Sequence, residues 1–226
     1  MAELVSDAAG YESVEAEPPE LLGRNLRAAG HLSAGATAFF FLAFFFAYFY
    51  LRSLNSAGMW RPKGVDPSLT LGTLAAAAVA VCAVVLRLGL ADHRAGRRTE
   101  WRLKGAVALA AGIAAIVLQV VEWATQGFGP TDGGYASVYI GWTAFYVLFL
   151  AVTVFWLETI LATSYRYRRA GGAALEPGHA SGDPYRTAHD IADPLAVVRP
   201  GLEAVSMYTT FLAGLGVLSW VVLYLL

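Results

Sequence analysis

Five stretches of this sequence, roughly Ala34–Leu51, Leu69–Leu90, Gly105–Thr125, Ala136–Leu161 and Val205–Leu226, carry at most one Asp, Glu, Lys or Arg apiece. A bilayer core about 30 Å thick is spanned by roughly 20 apolar residues rising 1.5 Å each, and each stretch meets that length. In hydrocarbon a backbone must satisfy its own hydrogen bonds, so each is expected to be a helix. The expected fold class is all-α: a polytopic membrane protein, a five-transmembrane-helix bundle over residues 34–226. The composition agrees, with 57% of residues hydrophobic and only 15% charged, far from the soluble mix. Nothing in it points to a nucleic-acid partner.

The segments outside the apolar runs set the orientation. Residues 1–33, acidic and containing Pro18–Pro19, lack the charged start and apolar middle of a secretory signal and are expected to form a cytoplasmic tail. A Gly-, Ala-, Pro- and Asp-rich stretch at about 165–204 is expected to be a long cytoplasmic loop. Lys and Arg concentrate in cytoplasmic loops. Arg94, Arg97, Arg98, Arg102 and Lys104 fill the second connection, and Arg166, Arg168 and Arg169 open the fourth, whereas Gln126–Tyr135 has no basic residue. The amino terminus is therefore expected inside and the carboxyl terminus outside a plasma membrane. Arg52, Arg61 and Lys63, in the first connection, stand against that arrangement locally.

An ionisable residue inside a membrane is a functional candidate because its desolvation is costly. Arg87 and Glu158 lie near helix ends, where a long side chain reaches headgroups. Glu122 stands near the end of the third run, with Gln119 one turn earlier on the same face and Trp123 beside it. That setting suits a lipid headgroup or a neighbouring subunit. Placed near helix ends, Glu122 and Glu158 are both expected to be ionised and to react weakly with a hydrophobic carbodiimide. His31, His93, His179 and His189 all fall in expected tails or loops, so no haem or copper ligand set projects from a helix. His179 and His189, with Asp183, Asp190 and Asp193, lack a recognised metal spacing. Cys82 lies alone in an apolar run and reads as a small core residue. No nucleotide-binding loop, catalytic triad or metalloprotease motif is present, so no catalytic residue is assigned.

An ordered series of short strings resembles one family. Tyr48-Phe49-Tyr50-Leu51-Arg52 closes the first run, Trp60-x-Pro62 follows, Gln119-x-x-Glu122-Trp123 precedes the third connection, and Tyr135-Ala136-Ser137 enters the fourth helix. Glu203, Tyr208 and Phe211 stand in order in the last. Together these are similar to subunit III of haem-copper terminal oxidases (cytochrome c oxidase) in a short five-helix form, over roughly residues 30–226. Departures accompany the likeness. Ala36-Thr37 stands where the family has Ser-Glu, Thr143-Ala144-Phe145-Tyr146-Val147-Leu148-Phe149 replaces Thr-Gly-Phe-His-x-x-His, and Thr209-Thr210 replaces a Trp-His pair.

The resemblance implies a non-catalytic subunit without a cofactor of its own. It would pack beside oxidase subunits I and II, which hold the haem and copper, and bind phospholipid. Glu122, Gln119, Trp123, Trp60 and Arg52 are then the candidate lipid or subunit contacts. The Ala- and Gly-rich second and third runs are expected to permit close helix approach, and Phe39–Phe41 with Phe44–Phe46 are expected to meet acyl chains. The alternatives are a subunit III-like accessory protein of a quinol oxidase or nitric oxide reductase and, with few polar residues at mid-membrane to support it, a small transporter.

Overall fold

The protein is a multi-pass membrane protein; its described residues form an all-helical bundle with five helices long and apolar enough to span a bilayer. The structure, a computed structural model, describes residues 19–55, 58–170 and 194–226. The helices are α1 (Pro19–Ser53), α2 (Leu69–Arg94), α3 (Arg98–Thr125), α4 (Gly134–Ala170) and α5 (Pro194–Trp220), and α5 ends in a π-helical turn, Val221–Leu225. Residues 1–18 of the expected tail, and residues 171–193 of the expected loop with His179, Asp183, His189, Asp190 and Asp193, lie outside the described residues.

α2 and α3 pack as a tight hairpin, α5 touches α1, α2 and α4, and α4 closes against α1 and α3. The inward stripe of α3 is small along its middle, where it meets α4. Its buried residues, Trp101, Gly105, Ala108, Gly112, Ala115, Gln119 and Glu122, recur at alternating steps of four and three. A Cβ on Gly105 would stand 2.7 Å from Leu161 Cδ2, and one on Gly112 would stand 2.7 Å from Val154 Cγ2. Both lie below any normal contact, so glycine here lets α4 approach α3 closely.

Three expectations are corrected. The first helix begins at Pro19, not near residue 34, and the last begins at Pro194, within the expected loop. Thirty-five residues make α1 about 52 Å long at 1.5 Å per residue, well beyond a bilayer core. Its polar first turns are held by α5: Gly23 packs beneath Pro200, Gly30 beneath Ala204, and Arg27 Nε lies 2.9 Å from Glu203 Oε2. His31 and His93 are therefore on helices, not in loops. His31 Nδ1 bonds to Arg27 O at 2.8 Å, and the His93 ring packs edge-on against Trp101.

The aromatic face of α1 is the third correction. Phe39 and Phe46 are exposed, but Phe41 is fully buried, and Phe40, Phe44 and Phe45 are half-buried. These rings interlock with Trp142, Phe145 and Phe149 of α4, with Phe45 and Trp142 edge to face at 4.6 Å. Such pairs add about 0.5–1.5 kcal/mol beyond area burial.

The ends of the bundle differ in character. At the end shared by the start of α1, the α2–α3 turn and the start of α5, Glu203 is bound by Arg27, Arg94 and Arg199. Asp92, nearly fully buried, is bound by Arg97 and Lys104. We call this the basic end. The opposite end is built of aromatic rings.

Candidate functional site

The aromatic end gathers residues from every helix. Tyr48 ends the buried stripe of α1, and the connection after it folds back so that Tyr135 N donates to Trp60 O at 2.8 Å. The Trp60 ring is then set edge-on to Tyr48 at 5.1 Å and to Tyr135 at 5.8 Å. Gly133, at φ 116°, permits this return: Met59 O and Pro62 crowd the place where a Cβ would project. Arg61 lies 4.5 Å from the Tyr135 ring centroid and pairs with Asp66 at 2.7 Å. The Tyr135 hydroxyl donates to Leu223 O, fixing the closing π-helical turn against α4.

Below this layer lies a hydrogen-bonded polar cluster. Glu122 Oε2 accepts from Gln119 Nε2 at 3.0 Å and from the Tyr224 hydroxyl at 2.8 Å. The Tyr224 and Tyr139 hydroxyls are 3.0 Å apart, and Gln119 Nε2 also reaches Tyr139 at 3.4 Å. Glu122 is 0% exposed, and its Oε1 has no hydrogen-bond partner. Tyr224 reaches the cluster through Gly72, because a side chain there would occupy the space of the Tyr224 ring. A cavity of about 40 Å³, edged by Gly72, Gln119, Thr143, Ser219 and Tyr224, adjoins the cluster. Most of its lining is apolar, with Ala75, Val79, Ala115 and Leu150 beside these polar groups.

The candidate contact residues separate into two groups. Glu122 and Gln119 turn into the bundle, so neither presents its polar group to a lipid headgroup or a neighbouring chain. The expected ionised, end-of-helix Glu122 gives way to a fully enclosed carboxyl. Trp60 is largely buried as a keystone between Tyr48 and Tyr135, and Trp123 is half-buried with Nε1 donating to Thr143 Oγ1 at 3.0 Å. Arg52 is exposed at the rim, within 3.5 Å of the Tyr48 hydroxyl, and of the five it is the one free to meet headgroups. Glu158 is exposed on α4, and Arg87 Nε donates to Thr210 Oγ1 of α5 at 2.9 Å.

The residues marking the departures are also placed. Thr37 is buried, and its hydroxyl lies 2.8 Å from that of Tyr208, so the position carries a neutral interhelical hydrogen bond. Tyr146 donates to Leu212 O at 2.8 Å and Thr209 to Val205 O at 2.7 Å. Each is a neutral bond. Tyr139 and Tyr224 were not singled out in the sequence, because their partner Gln119–Glu122 lies 20 to 102 residues away along the chain. Among the described residues no three His, Cys, Asp or Glu side chains converge as a metal site would require. No protein-family model matches this sequence, and comparison with characterised proteins finds no relative.

Proposed function

We propose that the chain is a non-catalytic subunit of a haem-copper terminal oxidase, equivalent to subunit III, packing beside the catalytic subunit and retaining phospholipid. One observation carries the reading. The strings that resemble that family are far apart in sequence, yet Tyr48, Trp60, Tyr135, Gln119 and Glu122 lie in adjoining layers at the aromatic end. Motifs that share one structural end are more telling than the same motifs scattered over a membrane protein. The haem and copper belong to the partner subunits in this reading.

The surface supports a partner and a lipid. Phe39, Leu42 and Phe46 form an exposed apolar strip on α1. Beside it a groove of about 430 Å³ between α1 and α5, walled by Phe41, Phe45, Phe211 and Leu215, has the shape and apolarity for an acyl chain. The basic end then faces the cytoplasm. The opposing charge in the first connection is reduced by the Arg61–Asp66 pair.

The test is mild-detergent purification of the tagged chain from its native membrane, with identification of the chains that accompany it. The expected result is a haem- and copper-bearing catalytic chain and oxygen consumption by the eluate. Reduced cytochrome c or quinol as the effective donor then distinguishes the two oxidase types. Recovery without any haem-bearing chain refutes the proposal.

A further inference from the structure

We propose that Glu122 is a buried proton-binding site, holding its carboxyl group as the neutral acid in the folded protein at neutral pH. The inference does not depend on which complex the chain joins. It rests on a comparison of the three acids that, among the described residues, the fold buries or half-buries.

Asp92 and Glu203 show how this protein keeps a carboxylate charged. Asp92 has Arg97 on one oxygen and Lys104 on the other, and Glu203 has three arginines within 3.3 Å. Glu122 is more enclosed than Glu203, and among the described residues no Lys, Arg or His pairs with it. The elements around it supply neutral groups: Gln119 from α3, Tyr135 and Tyr139 from α4, Tyr224 from the π-helical turn, and the Ser68 N–H at the start of α2, which falls short of hydrogen-bond geometry. Arg61 and Asp66 stand beyond Tyr135 and are paired with each other. An ionised carboxylate removed from water without a cation takes up a proton rather than bear the cost of desolvation.

The hydrogen-bond pattern points the same way. An ionised carboxylate offers about four acceptor positions over two equivalent oxygens. Here both donors converge on Oε2, and Oε1 has none. An ionised group would thus have half of its acceptor positions unmet and no cation beside it, whereas the neutral acid needs fewer donors. On protonation the Oε2–H donates to the Tyr224 oxygen, reversing that bond, and the Tyr224 hydroxyl donates to Tyr139. Gln119 Nε2 continues to donate to Oε2. The proton comes from solvent and returns to it, and each exchange reverses both the Oε2–Tyr224 and the Tyr224–Tyr139 bonds, the Tyr139 hydroxyl turning away from Tyr224 when the acid is neutral.

The test is infrared titration of the full-length chain in liposomes. The expected result at neutral pH is a protonated-carboxyl carbonyl band that shifts in heavy water, is lost in Glu122→Gln, and is displaced but retained in Tyr224→Phe. Sodium chloride at fixed pH leaves it unchanged. In detergent, the wild-type folding constant is expected to fall relative to Glu122→Gln by up to about tenfold per pH unit through the neutral range. The native state then holds a proton that the unfolded chain has released, so raising pH favours unfolding. A carboxylate band in its place, loss of the band on adding sodium, a band unmoved by Tyr224→Phe, or equal pH dependence of the two proteins overturns the proposal.

Discussion

Gly72→Ala tests whether the closing turn and α2 meet as described. The added methyl would project into the Tyr224 ring, with Cζ, Cε1 and the hydroxyl all in its way. The ring either stays and strains its surroundings or swings out and leaves Glu122 Oε2 without one of its two hydrogen-bond partners. Overpacking of a filled site costs about 1–3 kcal/mol. Leaving a buried polar atom without its partner also costs about 1–3 kcal/mol. The two responses are alternatives, so the expected loss stays near about 1–3 kcal/mol and does not reach their sum. Unfolding by SDS in mixed micelles, followed by far-ultraviolet circular dichroism, reads it. Repeating the substitution in a Tyr224→Ala background removes the obstacle, and there Gly72→Ala is expected to cost nothing. The coupling between the two sites is then the whole effect. Equal losses in both backgrounds would refute the contact.

Gly112→Leu should cost about 1–3 kcal/mol in the same assay, because Val154 and Cys82 already occupy the space above that glycine. Glu203→Ala should cost about 1 kcal/mol, because the half-exposed Arg27, Arg94 and Arg199 that lose their shared acceptor are resolvated by water. A reporter that fluoresces only in the cytoplasm should stay dark when fused after Leu226 and light up when placed between Arg94 and Arg98; bright cells in the first case would reverse the proposed orientation.

The five helices were legible because uncharged runs of membrane length admit little else. The starts of α1 and α5 were not, since hydropathy stops where Glu20, Arg24 and Arg27 begin, while the helix continues against α5. A signal was present: Gly23, Gly30 and Thr37 recur every seven residues in line with Phe41 and Tyr48, one inward stripe. The same reasoning would have placed Glu122. It continues the four-and-three series of Trp101, Gly105, Ala108, Gly112, Ala115 and Gln119, which faces inward throughout. Reading Glu122 by its distance from the helix end hid that register. Likewise, Trp142, Phe145 and Phe149 are spaced along one face of α4, the aromatic counterpart of α1. The role of Tyr224 could not be read locally, because it depends on Gly72 from a helix remote in sequence.

The two ends of the bundle are held by different physics, which separates their responses to conditions. At the basic end the arginines around Glu203 and Asp92 are about half exposed, so these pairs lie where mobile ions screen them within about 8 Å at physiological ionic strength. At the aromatic end the bonds of Glu122, Tyr224, Tyr139 and Gln119 are enclosed, and no formal charge need be present for them to hold. Salt therefore loosens the contact between the start of α1 and α5, and leaves the closing turn in place. Alkali acts in the opposite sense: arginine pairs survive it, whereas removing a proton from Glu122 places an uncompensated charge among three tyrosines. α5 and its closing turn are therefore anchored by ionic contacts at the start and by neutral hydrogen bonds at the finish, two anchors of opposite sensitivity.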